Sequence, residues 1–101
     1  MIIYNVTVKI DNDVVAEWLQ WMQTVHIPDV MQTGYFTENR ILKLLGDDDT
    51  EASTYAIQYF CSSIEQYENY NEIFAPALRE EHSNKFKNKF FAFRTLLEIV
   101  K

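Results

Sequence analysis

Two prolines, Pro28 and Pro76, stand 48 residues apart, and each comes late in a segment whose apolar residues have helical spacing. A proline lacks the backbone N–H and clashes with the preceding turn, so each helical segment must kink, or stop and restart, at this point. The strand-like segments that open the two halves, residues 2–10 and 52–61, also begin about 50 residues apart. Two halves with the same order of elements and the same break predict a duplicated strand–helix–strand plan.

Four segments have the alternation, or the β-branched and aromatic content, that is typical of strands: residues 2–10, about 35–45, 52–61 and 90–100. The two helical segments follow the first and the third of them, which gives the order β-α-β-β-α-β. This order predicts an α+β fold of the ferredoxin-like type, with one four-stranded antiparallel sheet and both helices on one of its faces. We expect one domain spanning residues 1–101.

Composition argues against several functional classes. The formal net charge is −6, and the short lysine tract at residues 85–89 follows two glutamates, so we do not expect a nucleic-acid partner. Cys61 is the single cysteine, which excludes an internal disulfide and a site built from two thiolates. No apolar stretch approaches the length of a membrane span, and residues 1–10 lack the features of a signal peptide. We therefore expect a cytoplasmic protein that does not contact membranes.

Strand alternation assigns side chains to the two faces of the predicted sheet. The apolar side chains expected toward the helices include Tyr4, Val6, Val8, Phe91, Phe93 and Leu97. Polar side chains from three strands are expected together on the opposite face: Asn5, Thr7, Gln58 and Arg94. The phase of the second strand stays open between two sets, namely Tyr35, Thr37, Asn39 and Ile41, or Phe36, Glu38, Arg40 and Leu42.

The face away from the helices also carries apolar residues, among them Phe60 and Leu96, that are unfavourable in water as one patch. A second copy of the chain is the simplest cover, so we predict a homodimer formed through this open sheet face. Asn5, Thr7, Gln58 and Arg94 then line a semi-enclosed cavity that binds a small ligand, or they form an ordinary polar interface with internal salt bridges. A buried Arg94 needs a partner such as Glu98, Glu38 or an anionic ligand.

His26 is the candidate for acid–base chemistry. Its pKa near neutrality suits proton transfer, and it lies at the edge of the apolar stripe of the first helix, where a side chain can face a cavity. The alternative is that His26 packs beside Met22 and bonds a backbone carbonyl that Pro28 leaves without a donor. We favour the second interpretation and keep His26 as a candidate catalytic residue.

Three further features are interpreted as structural. His82 stands in the polar run REEHSNK, so we expect it on a solvated helix face. The acidic residues 47–49 lack the ligand spacing of a calcium loop and predict a hairpin turn. Trp18 and Trp21 fit the core stripe of the first helix. We therefore expect no metal site and no cofactor.

Several segments together resemble a small bacterial family of domains of unknown function. The segments are IYNVTV (3–8), the pair Trp18/Trp21 with HIPDV (26–30), TGYF (33–36), YAIQY (55–59), APALREE (75–81) and FFAFRT (90–95). The resemblance covers nearly the whole chain, and the segments agree in order. It implies a ferredoxin-like dimeric α/β barrel and carries no established activity.

The wider superfamily that this resemblance implies includes antibiotic-biosynthesis monooxygenases, haem-degrading monooxygenases and small isomerases. The haem-degrading branch uses an Asn on the first strand together with a Trp and a His on the helix of the second half. Asn5 and His82 match two of these positions, whereas both tryptophans of this chain lie on the first helix. The expected Trp is therefore missing.

Two functions of different classes follow from these observations. The first is a homodimeric binding module with a small-molecule cavity. The alternative is a cofactor-free enzyme of monooxygenase or isomerase type, in which Arg94 orients a small anionic or carbonyl-bearing metabolite and His26 handles a proton. A haem-binding protein is the least favoured alternative. If His26 and Arg94 open into one cavity, the enzyme is favoured.

Overall fold

The fold is given by a computed structural model, which describes residues 1–47 and 49–101. Its elements are β1 (Ile2–Asp11), α1 (Val15–Trp21), a π-helical turn (Met22–His26), α2 (Ile27–Gln32), β2 (Glu38–Lys43), β3 (Ala52–Cys61), α3 (Ile64–Ile73), α4 (Ala75–Lys85) and β4 (Phe90–Glu98). The strands form one sheet in the order β2-β3-β1-β4, and every neighbouring pair is antiparallel. The predicted ferredoxin-like α+β fold is confirmed.

Both prolines mark the breaks that the sequence predicts, and each stands in the first turn of a new helix, α2 or α4. In the first half the break is a π-helical turn, closed by the Ile27 N–H donating to the Met22 carbonyl. Such a turn holds one more residue than an α-helical turn and often occurs at functional sites. It lies directly before Pro28 and contains His26.

The register of β4 corrects the predicted phase of the last strand. Arg94 pairs with Val6, and Ala92 pairs with Val8. Because directly opposite residues of an antiparallel pair share a face, Arg94 and Ala92 face the helices. Phe93 is 53% exposed on the other face, and Phe91 beside it is 68% exposed. The prediction was wrong because the segment FFAFRTLLEIV offers apolar residues in both phases, so its alternation does not distinguish the two faces.

The same pairing rule settles the phase of β2. Glu38, Arg40 and Leu42 pair with Phe60, Gln58 and Ala56 of β3, on the face away from the helices. We call this face the open face; its members from the two central strands include Ile3, Asn5, Thr7, Gln58 and Phe60. Phe36, in contrast, precedes β2 and is buried against Tyr59 and Tyr70.

The core lies between the sheet and the helices and is rich in aromatic residues. Trp18 and Cys61 are fully buried, and the Tyr4 ring packs against the rings of Tyr59 and Tyr70. The predicted acidic turn joins β2 to β3, where Asp47 Oδ1 accepts the Asp49 N–H; Asp48 lies outside the described residues. None of the described helices is long and apolar enough to cross a membrane.

Candidate functional site

Three of the four predicted ligand-binding residues lie together on the open face. The Asn5 side-chain amide donates to Thr7 Oγ1 at 3.1 Å, and the Gln58 amide donates to Asn5 Oδ1 at 3.3 Å. Asn5 is buried, and Thr7 and Gln58 are half-buried. These side chains largely satisfy one another. They form a polar strip on the sheet, which Arg94 does not join because it lies on the other face.

Arg94 instead lines a cavity between the sheet and the helices, and His26 lines the same cavity. We call it the inner cavity. Its apolar walls come from both sheet and helices: Val6, Val8, Ile57, Phe90, Ala92, Met22, Val30 and Leu78. Its polar groups are Tyr4, Tyr59, Tyr70, His26, His82, Arg79 and Arg94. Arg94 is the one solvent-exposed residue of this lining, so it marks the mouth.

The inner cavity is narrow. Its volume is about 40 Å³. At ~10–15 Å³ per water, this space holds roughly three waters. It therefore accommodates a head group of a few atoms, and any larger ligand must extend past Arg94 into solvent.

His82 corrects a second prediction, because it is only 8% exposed and lines the inner cavity. Its Nε2 accepts the indole N–H of Trp18 at 2.9 Å, and its ring packs edge-on against Phe90 at 4.5 Å between centroids. The prediction was wrong because the residues next to His82 in sequence are polar, which is typical of an exposed helix face. The missed signal is the spacing of Ala75, Leu78, His82 and Phe86, which recur every three or four residues and so share one face of α4.

Two arginines meet at the hydroxyl of Tyr4. Arg79 Nη2 and Arg94 Nε each donate to Tyr4 Oη, both at 3.1 Å. Arg79 Nη2 also donates to Asn71 Oδ1 at 2.7 Å, which ties this group to α3. Tyr4 was expected in the core, and Arg79 was not among the predicted site residues. No local sequence signal predicts that Tyr4 and Arg79 meet, because they are 75 residues apart in the chain.

Burial sets the protonation state of both histidines. Desolvation lowers the pKa of His26 to about 4, with Arg94 adding to this effect and Asp29 opposing it. Desolvation also lowers the pKa of His82 to about 4, reinforced by the proximity of His26 and Arg94. Both imidazoles are therefore neutral at neutral pH, and His26 has a lone pair free to accept a proton.

Three buried side-chain atoms in the described part of the chain have no hydrogen-bond partner: His26 Nδ1, Tyr59 Oη and Arg79 Nε. All three residues line the inner cavity. The bond expected between His26 and a carbonyl freed by Pro28 is not made by Nδ1, and the His26 ring packs against Trp21 with ring centroids 5.1 Å apart. Among the described residues, no group of three or more potential metal ligands occurs.

Solved structures share this fold at low sequence identity. A dimeric ferredoxin-like protein from an uncultured marine organism has a TM-score of 0.73 and 16% identity, covering 100% of this chain and 96% of its own. SnoaB, a cofactor-independent oxygenase from Streptomyces nogalater, has a TM-score of 0.71 and 10% identity, covering 99% and 94%. A MhuD mutant with two manganese protoporphyrin IX molecules bound per active site has a TM-score of 0.70 and 14% identity, covering 100% and 96%.

At these identities the similarity shows the fold alone. A search of curated proteins found no match. The family described as Domain of unknown function (DUF4286) matches residues 1–100, which is nearly the whole chain. The protein therefore belongs to this family, in agreement with the resemblance of its sequence segments.

Proposed function

We propose that this protein binds a small anionic or carbonyl-bearing molecule in the inner cavity. The observation that carries the proposal is that His26, Tyr59 and Arg79, each with a buried polar atom that has no partner within the described protein, all line that one cavity. Leaving a buried polar group unpaired costs about 1–3 kcal/mol. A polar head group in the cavity removes this cost at several atoms at once.

The charge of the lining favours an anion over a neutral ligand. Arg79 and Arg94 both line the inner cavity, and no carboxylate of the described residues does. Guanidinium groups recognise carboxylates and similar oxyanions well. Because the enclosed volume is small, we propose that only the anionic head group enters and that Arg94 contacts it at the mouth.

A second candidate function is enzymatic, and one specific observation favours it. His26 and Arg94 line the same cavity, which is the geometry required for Arg94 to orient an anionic substrate while His26 takes a proton from it. A structural neighbour, SnoaB, is a cofactor-independent oxygenase. Proton abstraction next to a carbonyl is the step that His26 supports in either a monooxygenase or an isomerase.

A haem-binding function fits these residues poorly, although the MhuD neighbour holds a manganese porphyrin. The inner cavity has about 40 Å³, well below the ~300 Å³ or more of a pocket for a drug-sized ligand. His82, the histidine at the matching position, already uses Nε2 to accept the Trp18 N–H. The buried Asn5 lies on the open face, outside this cavity.

We also propose that the chain forms a homodimer through the open face and works in the cytoplasm. Exposed apolar side chains on that face, such as Phe91, Phe93 and Leu97, support a protein partner. A structural neighbour is a dimeric ferredoxin-like protein. The polar strip of Asn5, Thr7 and Gln58 then lies within the interface.

Ligand binding is tested by thermal unfolding with a panel of small carboxylates, 2-oxo acids and their neutral amides. At ten times its Kd, a ligand stabilises by about 1.4 kcal/mol, which raises Tm by roughly 6–10 °C for a domain of this size. We expect such shifts for anions with the wild type and smaller ones with Arg94→Met. The variant Lys87→Met removes an exposed charge as the control and should behave as the wild type. Equal shifts for wild type and Arg94→Met would contradict the proposal.

The enzymatic candidate is tested with a carbonyl compound from this panel that binds. Proton NMR in D₂O follows exchange of the hydrogens next to its carbonyl. We expect the wild type to accelerate exchange and His26→Gln to lose the acceleration while still giving the thermal shift. If both proteins bind the compound and neither accelerates exchange, the protein is a binding module without this proton-transfer activity.

A further inference from the structure

The hydrogen bond between Trp18 and His82 determines where the proton of His82 lies. An indole N–H is a donor only, so His82 Nε2 must accept and cannot itself carry a proton. A neutral imidazole has one N–H, which therefore resides on Nδ1. The 2.9 Å bond is buried, and Trp18 is fully buried at the centre of the core. The tautomer is thus fixed by a rigid neighbour.

The Nδ1–H of His82 has no hydrogen-bond partner among the described residues, and His82 lines the inner cavity. The nearest polar ring is His26, which packs edge-on against His82 with ring centroids 5.7 Å apart. A donor held in one tautomer beside a cavity is suited to an acceptor atom of a bound molecule.

The hydroxyl group of Tyr4 is a second hydrogen-bond donor whose direction is set by its neighbours. Its hydroxyl oxygen has two lone pairs, and Arg79 and Arg94 each donate to it. Neither guanidinium can accept a hydrogen bond, so the Tyr4 hydroxyl proton remains available for a third partner. Arg79, whose Nε has no hydrogen-bond partner among the described residues, also lines the inner cavity.

We propose that Trp18 is a positioning residue that holds His82 as a fixed donor, and that His82 and Tyr4 together bind one anionic oxygen of the ligand. This inference rests on the proposed binding function and specifies its ligand class: a compound with an oxyanion, of which a carboxylate is the simplest example. His26, which has no donor comparable to Trp18 among the described residues, is the group that can accept a proton from the ligand. The two histidines thus have opposite roles.

The test is a long-range ¹H–¹⁵N correlation spectrum of the imidazole rings at pH 7. For the wild type we expect His82 in the Nδ1–H tautomer. Sodium acetate is the probe, with acetamide as its neutral control. We expect acetate to shift the His82 Nδ1 resonance and acetamide to have little effect.

Two variants separate the hydrogen bond from simple packing. Trp18→Phe removes the indole donor, and we expect His82 to lose its single tautomer and its response to acetate to fall at least several-fold. Trp21→Phe is the matched control: Trp21 lies near the same ring, with centroids 5.8 Å apart, and makes no hydrogen bond to it. We expect this variant to retain the wild-type tautomer.

An Nε2–H tautomer of His82 in the wild type overturns the inference directly, even if Trp18→Phe fails to fold. The inference also fails if acetate shifts His26 and leaves His82 unmoved, although the proposed binding function then still stands. If the tautomer is as expected and acetate moves neither ring, the oxyanion assignment is wrong. The thermal panel then decides separately whether the cavity binds other molecules.

Discussion

At the scale of single residues, burial and hydrogen bonding give His26 and His82 different chemistry in the same cavity. Both are desolvated, and their rings lie 5.7 Å apart. Of these two rings, only His82 has a partner among the described residues that dictates its tautomer, the indole of Trp18. Both have a pKa lowered to about 4, which predicts how the free energy of unfolding depends on pH.

We expect the protein to lose stability as the pH falls below 6.5. An unfolded histidine binds a proton near pH 6.5, whereas these two folded histidines bind one only near pH 4, so acid favours the unfolded chain. Full stability is present above about pH 6.5, and about 2 kcal/mol per histidine is lost by pH 5. Urea unfolding at pH 7.5, 6 and 5 measures this loss. The double variant His26→Gln/His82→Gln serves as control, and an equal pH slope in both proteins would contradict the prediction.

At the scale of elements, the π-helical turn and the inward face of α4 assemble the histidine pair. The turn spans Met22–His26 and lets Trp18 and His26 both point inward from one helical run. On α4, Arg79 and His82 are three residues apart and reach the same cavity. The break at Phe74, between α3 and α4, precedes this helix at the point where Pro76 predicts it.

Deleting Thr24 tests whether the π-helical turn serves to absorb one extra residue. Thr24 is exposed, and its removal allows a regular α-helix in which Trp18 and His26 are seven residues apart, about 700° or two full turns. Both side chains then stay inward, so we expect the pKa of each histidine to remain about 4 in an NMR titration. Deleting the exposed Gln23 as well turns the flanking segments by a further ~100°, and we expect the pKa of at least one histidine to rise toward 6.5. A rise after deletion of Thr24 alone would contradict this role.

At the scale of the whole molecule, the sheet has one face covered by helices and one open face. The covered face holds the aromatic core and the inner cavity. The open face holds the polar strip of Asn5, Thr7 and Gln58, flanked by exposed phenylalanines of β4. The exposed apolar side chains of the open face are removed from water only if a second molecule covers that face.

Light scattering tests the proposed dimer. The chain has a mass of 12.0 kDa, and we expect about twice this value at micromolar concentration. Phe93→Glu places a charge at the centre of the exposed apolar residues of β4 and should give the monomer mass. Ile73→Glu, at a 60% exposed position on a helix, is the control and should remain dimeric. A wild-type monomer would remove the dimer from the proposal.

The order of elements could be predicted because its signals are local. Alternation in residues 2–10 specifies β1, and the two prolines specify the helix breaks, since a proline cannot make the backbone bond of a helix interior. Family membership could also be recognised, because segments along the whole chain carry it. His26 was identified as a candidate by its position at the edge of the apolar stripe of the first helix, although the sequence favoured a structural role.

The composition of the site depended on tertiary structure. Arg94 belongs to a strand with apolar residues in both phases, so only its pairing with Val6 decides which face it occupies. Tyr4 and Arg79 are 75 residues apart, and His82 and Trp18 are 64 apart. The sequence by itself determined which segments become strands and helices, because propensity and periodicity act over a few residues. Only the tertiary structure decided which polar groups share the cavity, because hydrogen bonds and desolvation depend on residues that meet only after the sheet has paired.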